Sequence, residues 1–270
     1  MTQPFVLYAV EQGIATLTLN DGARMNPLGD EIAAALASAI GRVREDGSVQ
    51  AVVLTAQGRA FCAGADLPCY MARLERPEPG QSLGQYVGEL MEAKVNPLIL
   101  ALRELPVPVV CAINGVAAGG GFGLALAGDV VLAARSAYFY LPFFPALGAV
   151  PDMGASWALP RAVGRARALG LALTGDKLAA QKAADWGLIW DCVEDDQLQA
   201  EAQRMARQLA ALPAHAIQEA RALFAAAETH TLEQQLRLER ERQEVLIDGE
   251  SFAEGVRAFV ERRKPVFRRR

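Results

Sequence analysis

Residues 138–157, YFYLPFFPALGAVPDMGASW, hold six aromatic side chains and a single carboxylate, Asp152. A carboxyl group among apolar rings is poorly hydrated in its charged form. Its pKa therefore rises toward neutrality, where a general acid or base works best. Two other stretches offer backbone instead of side chains. Residues 113–129, INGVAAGGGFGLALAGD, place Gly119, Gly120 and Gly121 just before an apolar segment that reads as a buried helix. Glycines at a helix start leave N–H groups that have no partner inside the helix open to a ligand, and the helix dipole favours negative charge there. Residues 58–67, GRAFCAGADL, repeat the theme with Ala60, Ala63, Gly64 and Ala65 at a strand end. Backbone donors and one tunable carboxyl could together stabilise an oxyanion and move a proton. Plain packing is the competing reading: a glycine-rich helix lying tight on a sheet, rings filling a core, and Asp152 capping the helix that runs through Ser156 and Trp157.

The elements that must position these residues alternate between strand and helix. Residues 5–10 and 14–19 read as a β-hairpin. Asn26-Pro27 reads as an N-cap and first helical residue, followed by Leu28, Ile32, Leu36, Ile40 and Val43 at helical spacing. Residues 51–55 form an apolar strand, and residues 77–84 a Pro/Gly/Ser-rich surface loop. Residues 90–105 are helical with Pro97 kinking or dividing them. Strands follow at 107–113, 130–133 and 138–140. Short helices at 165–173 and 179–186 lead to a strand at 188–193. Amphipathic helices then span 196–212, 214–227, 232–247 and 251–262. This pattern predicts an α/β fold, with a catalytic core at 1–195 and a helical region at 196–270.

Composition narrows the function. The chain has 270 residues, is 52% hydrophobic and carries a formal net charge of −4, which fits a soluble protein and disfavours general nucleic-acid binding. Residues 105–128 carry no charge and are long enough to cross a membrane, but their prolines, Asn-Gly break and glycine run predict a buried strand-turn-helix instead. The N-terminus shows no export or organelle signal, so a cytoplasmic location is expected. Four cysteines form no CxxC pair, and only His215 and His230 exist, which argues against a metal site or a Ser-His triad. Arg262 to Arg270 contains five arginines and a lysine, suited to phosphates or to a solubilising tail.

The two small-residue loops, together with ALGAVPDMGASWALPRAVG at 146–164, LTGDKLAAQKAADWGLIWDCV at 173–193 and EGVRAFVERRKPVF at 254–267, resemble the enoyl-CoA hydratase/isomerase (crotonase) family along the whole chain. The resemblance implies a spiral of ββα units, C-terminal helices that build a homotrimer or homohexamer, and a thioester enolate held by two backbone N–H groups. Transferred to this sequence, those donors are Ala63 and Gly120. Family hydratases carry two glutamates, at the positions of Gly123 and Phe143 here, so both acids are missing. Asp152 remains, where several family isomerases carry their only catalytic carboxylate. The implied activity is an enoyl-CoA isomerase with Asp152 as single acid/base, closest in motif to isomerases of the phenylacetate-pathway type, with hydration as the alternative. Acyl-CoA dehalogenation would need an active-site histidine, and RNA binding would need a lysine-rich helix. The resemblance places coenzyme A, as part of the substrate, near Arg24, Arg59, Ala60, Phe61, Ala63, Ala65, Asp66, Leu67, Gly119 and Gly120. Phe259 and Arg262 would reach it from a neighbouring subunit, and Asp66 would order the first loop. No metal or redox cofactor and no membrane partner are implied.

Overall fold

The computed structural model describes residues 3–267; the arginines at 268–270 of the basic tail lie outside that range. β1 (Val6–Glu11) and β2 (Ile14–Leu19) form the antiparallel hairpin, turned at Gln12 and Gly13, both at positive φ. Beyond it, one pattern recurs: a strand, a corner, then a second short strand. The first strands are β3 (Ala51–Ala56), β5 (Val109–Ile113) and β7 (Val130–Ala134). The second strands are β4 (Ala60–Cys62), β6 (Val116–Ala118) and β8 (Tyr138–Tyr140). β9 (Leu178–Ala179) and β10 (Asp191–Val193) complete two sheets. The larger has six strands ordered β1-β2-β3-β5-β7-β10, and the smaller has four, ordered β4-β6-β8-β9. Every first strand thus enters one sheet and every second strand the other.

Pairing is parallel from β2 to β10 and from β4 to β8, with Val52 opposite Val109 and Ala117 opposite Phe139. Parallel strands covered on both faces need unbroken apolar runs, and β3 and β5 are buried at every residue. The corners nest on one another, which is why glycine recurs there. A Cβ on Gly58, whose φ is +84°, would stand 2.9 Å from Gly22 Cα, and one on Gly115 would stand 2.8 Å from the carbonyl carbon of Arg59. Asn114 ties its corner to the previous one by donating to Gly58 O at 2.9 Å.

The helices are α1 (Asp30–Glu45), α2 (Leu67–Glu75), α3 (Leu83–Leu90), α4 (Asn96–Arg103), α5 (Gly120–Ala125) and α6 (Ala155–Thr174). They continue with α7 (Ala180–Asp185), α8 (Leu198–Ala210), α9 (Ala216–Ala227), α10 (Leu232–Ile247) and α11 (Glu250–Val260). The uncharged run at 105–128 is divided among β5, β6 and α5, and among the described residues no helix is long and apolar enough to cross a membrane. Pro97 lies in the first turn of α4, where its missing N–H costs nothing, and a π-turn over Met91–Val95 joins α4 to α3. The surface loop stops short of residue 84, because Ser82 and Gln85 form a capping box that starts α3. Gly164, at φ +78° and ψ 161°, kinks α6, so the helix expected from 165 is the second half of a longer one.

Two sequence expectations change more substantially. Asn26 caps no helix: α1 begins at Asp30 with Gly29 before it. Asn26 is instead fully buried at φ +53°, a left-handed conformation asparagine tolerates. Its amide donates to Gln57 O and Ala60 O at 3.0 and 2.9 Å, and accepts from Asp21 N–H at 2.8 Å. The second change concerns α8, which lies on the six-stranded sheet. Leu198, Ala202, Met205 and Ala206 are buried, Gln199 donates to Thr55 at 3.0 Å and Gln203 donates to Thr16 at 3.0 Å. Burial therefore falls off after α8 and not at 195/196; of α9, α10 and α11, only Ala258 is buried.

Asn26→Ala should leave three backbone groups of the 21–60 region unpaired in a dry site. A destabilisation of about 2–4 kcal/mol is expected from urea unfolding, with the transition slope unchanged.

Candidate active site

Three loops leave the ends of the second strands side by side: 63–66 after β4, 119–120 after β6 and 141–143 after β8. Gly119 N–H donates to Tyr140 O at 3.0 Å, joining the second loop to the third strand. Gly64, at φ +88°, lies flat on the second loop, since a Cβ there would stand 2.8 Å from Ala118 O and 3.1 Å from Gly120 N. Alanine at 64 would therefore force the loops apart. Phe143 closes the third side, its Cζ 3.9 Å from where a Cβ on Gly119 would be.

Ala63 does not present a free donor, contrary to the sequence expectation. Its N–H is committed to Met25 O at 3.0 Å, and this bond tethers the loop to the turn before α1. Leu28 N–H donates to Gly64 O at 2.7 Å and supports the next residue. The N–H groups of Ala65 and Gly120 make none of the bonds that tie these loops together. Motif spacing could not separate Ala63 from Ala65, because the difference lies in which N–H a distant segment occupies.

Asp152 stands against Gly120. Its Oδ1 is buried, has no hydrogen-bond partner, and lies 3.4 Å from the Cβ position of Gly120. Burial pushes its pKa up to about 6, partly opposed by a backbone hydrogen bond. The capping role falls away: Gly154 precedes α6, and Asp152 contributes its main-chain carbonyl to Ala155 N–H at 2.9 Å. The carboxyl's field reaches Cys62 in β4 and Tyr70 on α2, both raised to about 12, in each case first by burial. Tyr70 meets Tyr86 of α3 edge to face at 6.4 Å. No sequence motif marked Tyr70; only its position on α2, directly after the 63–66 loop, brings it here.

The positions where hydratases carry glutamates are filled differently. Gly123 is buried beneath the 152–154 turn, and a Cβ there would stand 2.7 Å from Met153 Cβ. Phe143 is 6% exposed. Of the rings around Asp152 in sequence, Phe139 and Phe143 are core, whereas Phe144 and Trp157 are each 43% exposed.

A cleft of about 810 Å³ opens beside the first loop, lined among others by Arg24, Ala65, Asp66, Leu67, Tyr138 and Lys177. Asp66 caps α2 by accepting from Cys69 N–H at 3.3 Å and pairs with Arg24 at the same distance. Ala60 and Phe61 are wholly buried in β4, and their side chains cannot touch a ligand in this cleft. Arg59 is exposed at the corner before them and does not line the cleft. Phe259, 85% exposed on α11, lies in a different depression with Phe252 and Val256, and Arg262 follows at φ +55°. One chain does not bring those two residues to the site. Lys177, whose Nζ lies 4.8 Å from the centre of the Tyr138 ring, had no sequence signal.

The family model for enoyl-CoA hydratase/isomerase matches residues 9–270. The 1,2-epoxyphenylacetyl-CoA isomerase of Escherichia coli is 45% identical over 263 residues, covering 97% of this chain and 98% of its own. A probable enoyl-CoA hydratase of Rhodobacter capsulatus is 39% identical over 267 residues, covering 99% of both chains. Among solved structures, an enoyl-CoA hydratase from Polaromonas sp. JS666 superimposes with a TM-score of 0.87 at 33% identity, covering 97% of this chain and 99% of that one. Sequence and fold agree over nearly the full length, and the chain belongs to the enoyl-CoA hydratase/isomerase family.

Proposed function

We propose that this chain isomerises an acyl-CoA thioester through an enolate, with Asp152 as its single acid/base. The observation that carries this reading is the placement of one dry carboxyl against Gly120 while positions 123 and 143 hold Gly and Phe. The thioester oxygen would accept from the N–H groups of Ala65 and Gly120, which strengthen as charge develops on it. One such donor is worth about 3–4 kcal/mol of barrier. For a 3-enoyl thioester, the carboxylate takes a proton from C2 and the electron pair delocalises onto the thioester oxygen. The pair then returns as the C2=C3 bond while the C3=C4 π bond breaks, its electron pair taking the proton from the protonated carboxyl at C4. One group suffices because it is regenerated each turnover.

The name of the 45% identical relative, an epoxyphenylacetyl-CoA isomerase, supports a ring acyl group as the substrate class. The CoA moiety would lie in the cleft beside Arg24, Asp66, Leu67 and Lys177, and no metal or redox cofactor enters the chemistry. Exposed Phe224, Leu232, Phe252 and Val260 on the C-terminal helices support association of copies, which we take to be a homotrimer or a hexamer of two. In it a neighbour's Phe259 and Arg262 would complete the CoA site.

Asp152→Asn should lower the conversion of a 3-enoyl-CoA to its conjugated 2-enoyl isomer by about 10²–10⁴-fold, followed by thioester absorbance. CoA-ester binding should persist in that variant; retained turnover would sink the assignment. The base form must be ionised, so kcat/KM should fall as pH drops through about 6 and level off above it. A third check is negative: supplied with a 2-enoyl-CoA, the wild-type protein should form no 3-hydroxyacyl-CoA, because no second carboxylate is available to handle water.

A further inference from the structure

The turn that carries Asp152 has a feature that the proposed reaction does not use. Met153 adopts φ +49° and is followed by Gly154 at +78°. A left-handed methionine is uncommon and persists only where its surroundings hold it. Met153 is 4% exposed, and what holds it is α5. Gly120 and Gly123 are three residues apart and so share one face of that helix. A Cβ on Gly120 would stand 2.8 Å from Met153 Sδ and 3.3 Å from Leu28 Cδ1, and one on Gly123 would stand 2.9 Å from the Met153 carbonyl carbon. Met153 thus occupies the space of two missing side chains. Its thioether and the Asp152 carboxyl border the same point beside Gly120.

We propose that Met153 is a positioning residue. It holds the Asp152 carboxyl dry and at a set height over Gly120, and it closes position 123 to any second acid. This rests on Asp152 being the acid/base. The titratable groups that the carboxyl faces are Cys62 from β4 and Tyr70 from α2, both neutral near pH 7. The α5 segment, GGFGLA, contributes no ionisable group. Water is therefore the main influence that Met153 keeps from the carboxyl.

The test uses the full-length protein with Met153→Ala, Met153→Leu and Asp152→Asn assayed in parallel on a 3-enoyl-CoA. Met153→Ala opens a void beside Gly120. It should lower kcat by about a hundredfold with KM little changed, the cost of a carboxyl displaced by roughly an ångström. Water entering the void should also move the acid limb of kcat/KM to lower pH. Met153→Leu, which refills the space, should restore both. A purely structural role would lower the melting temperature without shifting the pH limb. Should the alanine variant be too unstable to assay, the nearly isosteric Met153→Gln preserves volume, places an amide beside the carboxyl and should move the limb in the same direction. If neither variant shifts kcat or the limb while Asp152→Asn is inactive, Met153 does not position the carboxyl and the functional reading stands. If Asp152→Asn is active, the functional reading itself fails.

Discussion

Close approach to α5 is the constraint from which the site follows. This helix has six residues, and three of its glycines are pressed on by other chain segments. A Cβ on Gly121 would stand 2.8 Å from the carbonyl carbon and from the Cβ of Cys62, so β4 lies directly on the helix backbone. The opposite contact, at Gly120 and Gly123, is taken by the 152–154 turn. A side chain at any of the three would separate the helix from a strand or from the turn. The 63–66 loop, Gly120 and the carboxyl would then no longer meet. Glycine is used here for its lack of volume more than for its freedom of φ; only Gly119, at +54°, needs a left-handed backbone.

The two-sheet spiral converts that local contact into a site. Each second strand ends at the same side of the molecule, so loops 63–66, 119–120 and 141–143 arrive together although they are separated widely in sequence. Rigid elements hold them: Asn26 is buried between three backbone segments, Met25 O fixes Ala63, and Tyr140 O fixes Gly119. Preorganisation of this kind is what allows backbone dipoles to stabilise developing charge without reorganising. The same packing buries Asp152 Oδ1, so one set of contacts both orders the loops and raises the carboxyl pKa.

Membership of the enoyl-CoA hydratase/isomerase family accounts for the scaffold, while the departures from it account for the chemistry proposed. A glutamate at 123 is excluded by volume, because Met153 stands where its Cβ would be. Phe143 replaces the other acid with a ring against Gly119. The turn that carries Asp152 is thus the same turn that fills the space beside Gly123.

Much of this was legible in the residues themselves. The hairpin, the apolar core strands, α10 at 232–247, the aromatic-rich stretch around Asp152 and the absence of acids at 123 and 143 follow from side-chain type and local order, and the chain carries that information directly. The packing reading of the glycine run holds for Gly120, Gly121 and Gly123 alike, each of them pressed on by another segment. Long-range contacts decided the rest. Asn26 became a buried bridge and not a cap because its partners, Gln57 and Ala60, are more than thirty residues away. The N–H of Ala63 is spent on Met25 O, and α8 packs on the six-stranded sheet, where its glutamines reach Thr55 and Thr16. Local order along the chain specifies which groups are present; which of them remain unpaired, and therefore available for chemistry, is a property of the packed molecule alone.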